Sequence, residues 1–117
     1  MNRGFKDLKV WQKAYDFALE IYKVSKDFPV EEKYGLTSQA RRAAVSVTAN
    51  IAEGYERQHR KEYIQFLSVA KGSLGEVETY LLFLRDLNYI HAQQFLGLEE
   101  KRIEIAKMLR GVINSLS

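Results

Sequence analysis

Two histidines, several helix-borne carboxylates and serines, and a group of arginines are the residues of this chain whose chemistry bears testing first. His59 and His91 are the only imidazoles, and Glu56 precedes His59 by three residues. That Glu-x-x-His spacing serves carboxylate-bridged two-metal bundles, which also need a second such pair and two more glutamates on facing helices. The second pair is missing, so no metal is expected and both histidines read as solvated corner residues. Glu53, Glu76 and Glu78 could be paired for acid–base work, but helix surfaces are rich in glutamate and no apolar pocket is foreshadowed around them. Ser46, Ser68 and Ser73 lack a base placed by sequence and a nucleophile elbow. No glycine-rich loop follows a strand, so a nucleotide cradle is not expected. The chain has no cysteine, which excludes disulfides, thiolate metal sites and cysteine nucleophiles. Together these features argue against an enzyme and against a bound cofactor.

The basic residues are a better lead. Between residues 38 and 61, Arg41, Arg42, Arg57, Arg60 and Lys61 stand against only Glu53 and Glu56, a surplus equal to the net charge of +3 for the whole chain. Phosphate backbones are bound by such clusters; an ordinary solvated helix surface is the competing account. Arg41 and Arg42 fall in the first turns of one helix and the other three at its far end, about sixteen residues or roughly 24 Å away. One subunit therefore cannot gather them into a pocket, whereas a ring could align each group as a belt. Binding to RNA or DNA is expected to be weak, independent of sequence and multiplied by assembly. Asn50 lies among small residues. It is expected either to be buried, fixing helix register or bonding across a subunit boundary, or to sit exposed on the outer face; its neighbours favour burial.

The elements that must carry these residues follow from periodicity. A fraction of 46% hydrophobic residues with one proline and seven glycines fits one globular domain over 1–117 with long helices rather than a disordered chain. No stretch approaches the ~18 apolar residues of a membrane span, and residues 1–7 hold no signal-peptide core, so a cytoplasmic protein is expected. Four helices are predicted, near 7–27, 38–57, 60–88 and 92–116, packed as an all-α, antiparallel up-down bundle. In the first, Trp11, Ala14, Tyr15, Ala18, Tyr22 and Ser25 follow the three-and-four spacing of a buried face. A second row, Val10, Phe17 and Val24, runs beside it and makes the apolar face wider than one seam needs. That row is assigned to a subunit boundary. Phe28-Pro29 ends the helix, since the residue before proline avoids the α region. Thr37 is the expected N-cap of the second helix, whose inner face is Ala40, Ala43, Ala44, Val47, Ile51 and Tyr55. Its many small side chains, Ala49 and Ala52 included, would let neighbours approach closely, and Gly54 loosens its last turn. Gly72 and Gly75 in the third helix mark close backbone packing or a tolerated weakness.

The stretch from Arg41 to Gly54, RRAAVSVTANIAEG, resembles the four helix bundle protein family, with DLKVWQ upstream and FLSVAKGSL downstream supporting the match over nearly the whole chain. That family includes the intervening-sequence proteins encoded within insertions of bacterial 23S ribosomal RNA genes. A related branch is the accessory variability protein of diversity-generating retroelements. The resemblance implies a four-helix bundle assembled as a ring-shaped homopentamer. The family's signature residues match at Arg42, Asn50, Glu53 and Gly54, and it transfers no catalytic role to them. Gly54 and Asn50 thus join Val10, Phe17 and Val24 as expected structural or subunit-contact positions. The function expected is a non-enzymatic binding or assembly module associated with RNA or an RNA–protein complex. The alternative is a protein-binding scaffold whose charge is incidental.

Overall fold

The computed structural model describes residues 3–117. Its helices are α1 (Lys9–Ser25), α2 (Leu36–Tyr55), α3 (Arg60–Asp86) and α4 (Ala92–Leu116), with short 3-10 turns at Gly4–Asp7 and Val30–Glu32. The described residues contain no strand. Each helix packs on its neighbours in sequence, and α1 closes on α4. Paired contacts fix the directions. Ser46 meets Ser73, and Gly54 meets Phe66 and Tyr63, so α2 and α3 run oppositely. Arg102 meets Glu78 and Arg85 lies over Phe95, which does the same for α3 and α4. Lys13 reaches Glu104 and Glu20 reaches Lys101 between α1 and α4. Arg41 lies against Tyr22 while Gly4 lies against Tyr55, making α1 and α2 antiparallel as well.

Helix ends differ from the sequence expectation for local reasons. Leu8 is extended, so α1 begins two residues later than predicted. α2 begins at Leu36 because its N-cap is Gly35, not Thr37, and the Glu32 carboxylate accepts the Leu36 N–H at 3.3 Å. α3 stops at Asp86, where Asn88 takes a left-handed φ of 64° that asparagine tolerates. At the start of α4, His91 is no bare corner residue. Its Nδ1 accepts the Gln94 N–H (3.2 Å), and Gln94 Oε1 accepts the His91 N–H (2.9 Å), closing a capping box.

The core joins Val10, Ala14, Phe17 and Ile21 of α1 to Ala44, Val47 and Ile51 of α2, Leu67, Leu74, Leu81 and Leu84 of α3, and Ile105 and Leu109 of α4. Burial of each large side chain is worth about 1.5–3 kcal/mol. This corrects the expected subunit boundary. Val10 and Phe17 are only 3% and 1% exposed inside one chain, and Val24 is half-buried against the same core, so the row that was assigned to a neighbour faces inward. Tyr15 and Tyr22, assigned inward, are 46% and 41% exposed. The reason is polar: each tyrosine carries a hydroxyl that needs a partner when buried, while valine and phenylalanine carry none. On α2 the predicted inner alanines are buried and Tyr55 is half-buried, but Ala49 is exposed.

Candidate nucleic-acid interface

Folding redistributes the charge that the sequence concentrates in one segment. The starts of α1 and α3 and the end of α2 share one end of the bundle. Arg3, Lys6, Lys9, Arg57, Arg60 and Lys61 meet there against Asp7, Glu53, Glu56 and Glu62. The opposite end holds Lys23, Lys26, Lys33, Arg41, Arg42 and Arg85 against Asp27, Glu31, Glu32 and Asp86. Leaving α4 aside, each end has six cations to four carboxylates. Between the ends, Lys13 pairs with Glu104 at 3.6 Å, Lys101 with Glu20 at 2.6 Å and Arg102 with Glu78 at 3.1 Å, all three joining helices, while Arg102 also bonds Glu99 within α4. The molecule is a rod 43 Å long.

The five basic residues singled out by sequence stay in the two groups expected, Arg41 and Arg42 at one end and Arg57, Arg60 and Lys61 at the other. Arg42 and Arg57 are separated by fifteen residues of α2, about 22 Å of rise, at opposite ends. The five are not equally available. The Arg41 guanidinium donates to Ser25 Oγ (2.7 Å) and stacks 4.6 Å above the Tyr22 ring. Arg57 pairs with Glu53 (3.3 Å) and Glu62 (3.7 Å) and covers Phe66 at 4.8 Å. Arg42, Arg60 and Lys61 are exposed and make no ion pair among the described residues. Lys6 and Lys9 are equally free and stand at the Arg60–Lys61 end, a pairing missed in the sequence because it spans more than fifty residues. Hairpin arithmetic could have found it, since an antiparallel α1–α2 pair must bring the start of one to the end of the other. A ring ladder runs beside this end: Phe5 packs on Trp11 at 5.2 Å, and Trp11 stacks on Tyr15 at 5.0 Å. The Arg3 amide and guanidinium both donate to Asp7 and hold its carboxyl below the usual range. Burial pushes the Tyr63 phenol up.

The remaining candidates are structural in their contacts. Asn50 is half-buried and turns back on its own helix, its Nδ2 donating to Ser46 O (2.8 Å) and Ser46 Oγ (3.0 Å). Ser46 Oγ in turn lies 2.9 Å from Ser73 Oγ, so the three side chains form a polar clasp between α2 and α3. Gly54 acts inside the chain, not at a subunit contact. A Cβ there would lie 2.8 Å from Phe66 Cβ and 3.2 Å from the Tyr63 carbonyl oxygen. Glu53 and Glu78 are tied to arginines. Among the described residues, no three acidic or imidazole side chains converge as a metal site would require. No helix there is long and apolar enough to cross a membrane.

Comparison with known proteins places this bundle. A solved structure from Bacteroides thetaiotaomicron, a protein with unknown function from the S23 ribosomal protein family, shares 30% identity at a TM-score of 0.84, covering 90% of this chain and 95% of that one. No curated protein matches. The family model for the 23S rRNA-intervening sequence protein matches residues 6–111, which include the α2–α3 clasp, Gly54 and every basic end residue but Arg3. With nine-tenths of its length matched in sequence and its four helices matched in space, the chain belongs to the 23S rRNA-intervening sequence protein family.

Proposed function

We propose that this protein is a non-enzymatic, cytoplasmic helical bundle that assembles with copies of itself and associates with RNA or an RNA–protein complex through its basic ends. The observation that carries this reading is the set of exposed cations without carboxylate partners, Lys6, Lys9, Arg60 and Lys61 at one end and Arg42 at the other. Lys13, Lys101 and Arg102, by contrast, are matched to acids on neighbouring helices. The family's description, which refers to 23S rRNA, supports an RNA partner. Phosphate contacts of this type do not read bases, so binding is sequence-independent. One subunit offers few contacts, and a ring, a homopentamer on the family resemblance, multiplies them.

Assembly is supported by apolar surface that one chain leaves open. Tyr15, Leu19, Tyr22 and Val45 are exposed on α1 and α2, and Leu82, Phe83, Leu87 and Leu96 on and after α3 and on α4. A head-to-tail ring needs two different patches on each subunit, and α1–α2 and α3–α4 offer two. The same surface favours a second reading, a protein-binding scaffold without nucleic-acid affinity. Anisotropy with long and short RNA at low salt separates the two. Binding that tightens with length, falls with salt by a slope of about −0.7 per single-strand contact, and is lost in a Lys6→Gln/Arg60→Gln/Lys61→Gln variant supports the RNA reading. Arg57→Gln alone should change it little, because Glu53 and Glu62 already hold that guanidinium. No binding to long RNA leaves the scaffold reading in its place.

A further inference from the structure

The far end of the bundle holds a cleft that the nucleic-acid reading does not explain. It has a volume of about 330 Å³ and lies between the end of α1, the α1–α2 connection and the start of α2, with Ser25, Lys26, Lys33, Thr37 and Arg41 in its wall. Three of these are cations, and none makes an ion pair. Arg41 bonds only neutral oxygens, Ser25 Oγ and the Tyr22 carbonyl, and Lys33 lies 5.5 Å from the Tyr34 ring. The cleft thus presents two exposed lysines and a half-buried arginine, with no carboxylate in its wall to offset them.

Two further observations specify what that is. Thr37 is 7% exposed, and its hydroxyl is buried with no hydrogen-bond partner, a state that buried polar groups rarely keep without a missing ligand or water. It also sits in the first turn of the twenty-residue α2. There Leu36 N–H is taken by Glu32 and the first intrahelical bond runs from Gln39 N to Gly35 O at 3.0 Å. The N–H groups of Thr37 and Ser38 are left without acceptors among the described residues. Free amides at a helix start, the positive end of its dipole and flanking cations are the elements of an oxyanion site.

We propose that this cleft binds a phosphate group, with Lys26, Lys33 and Arg41 supplying charge and the Thr37 hydroxyl and first-turn amides of α2 supplying directed donors. A monoester, carrying nearly two charges and three acceptor oxygens at neutral pH, fits this donor set better than the singly charged diester of an internal backbone position. The group reaches the site as a free phosphate or as the 5′-phosphate of an RNA strand. The site does not depend on the sequence-independent RNA binding proposed above.

Isothermal titration calorimetry with inorganic phosphate at constant ionic strength, on the full chain, tests this. The wild type should bind, Thr37→Val should weaken binding by about tenfold or more, as loss of a hydrogen bond to a charged group does, and Lys26→Gln/Lys33→Gln should weaken it further. Thr37→Val keeps the side-chain shape and removes a hydroxyl that has no partner, so its melting temperature should not fall. Anisotropy with labelled RNA carrying a 5′-phosphate or a 5′-hydroxyl then assigns the source. A preference for the phosphorylated end names the strand terminus, and equal affinity names the free anion. Absence of phosphate binding, or equal binding by wild type and both variants, overturns the site. Failure of RNA binding with phosphate binding intact would remove the proposed function and leave this site standing.

Discussion

Gly54 shows how one absent side chain sets the approach of two helices. Its backbone lies under Phe66 and Tyr63, where an added methyl would be 2.8–3.2 Å from atoms of α3. Gly54→Ala gains helix propensity worth about 1 kcal/mol and must then push α3 away. Overpacking of this kind costs about 1–3 kcal/mol, so the net expectation in a denaturant melt is destabilisation, and a more stable variant would refute the close contact. His91 acts locally in the opposite sense, by adding a bond. Removing its half of the capping box in His91→Ala should cost about 0.5–2 kcal/mol without altering any core contact. Asn50 stands between these cases. Its bonds to Ser46 explain a polar residue among alanines without a subunit partner.

At the scale of elements, α2 and α3 form the most extensive contact in the bundle, with small residues, Gly54 and the Ser46–Ser73 pair, on the seam. Ala44 is fully buried, and Ala44→Leu should cost about 1–3 kcal/mol by overpacking. The glycines of α3 behave differently. A Cβ on Gly72 or Gly75 would meet nothing within 4 Å, so within one chain they are a tolerated weakness and not a packing device. Gly72→Ala should therefore raise the stability of the folded chain by up to about 1 kcal/mol. A thermal melt showing a loss instead would mean that another molecule lies against that face. The α1–α2 connection is held by contacts that span the chain: Tyr89 OH donates to Glu32 Oε2 at 2.8 Å, which raises the phenol above its usual range, and Phe28 packs on Tyr89 at 6.1 Å.

At the scale of the whole molecule, the exposed apolar side chains call for assembly. Light scattering at micromolar concentration should return a multiple of the 13.6 kDa chain mass, five-fold on the family resemblance, and a single-chain mass would end that reading. Phe83→Glu/Leu96→Glu, at positions 53% and 63% exposed, should lower the mass while leaving the fold intact. Much of this molecule was legible in the residues alone. Four amphipathic helices, the Phe28-Pro29 stop and the alanine face of α2 follow from local sterics and from a period of 3.6, which a chain carries wherever it folds. The motifs around Trp11, Asn50 and Leu67 were enough to recognise the family. Which of two adjacent rows on α1 turns inward was not legible, because periodicity marks a face to within about one residue's rotation, and the choice between Phe17 and Tyr15 rests on the partners each would meet. The pairing of Lys6 with Lys61, and of Lys26 with Arg41 around a partnerless Thr37 hydroxyl, was settled only when antiparallel packing brought separate helix ends together. Local propensity is a property of neighbours in the chain, whereas charge density and unsatisfied hydrogen bonding are properties of neighbours in space.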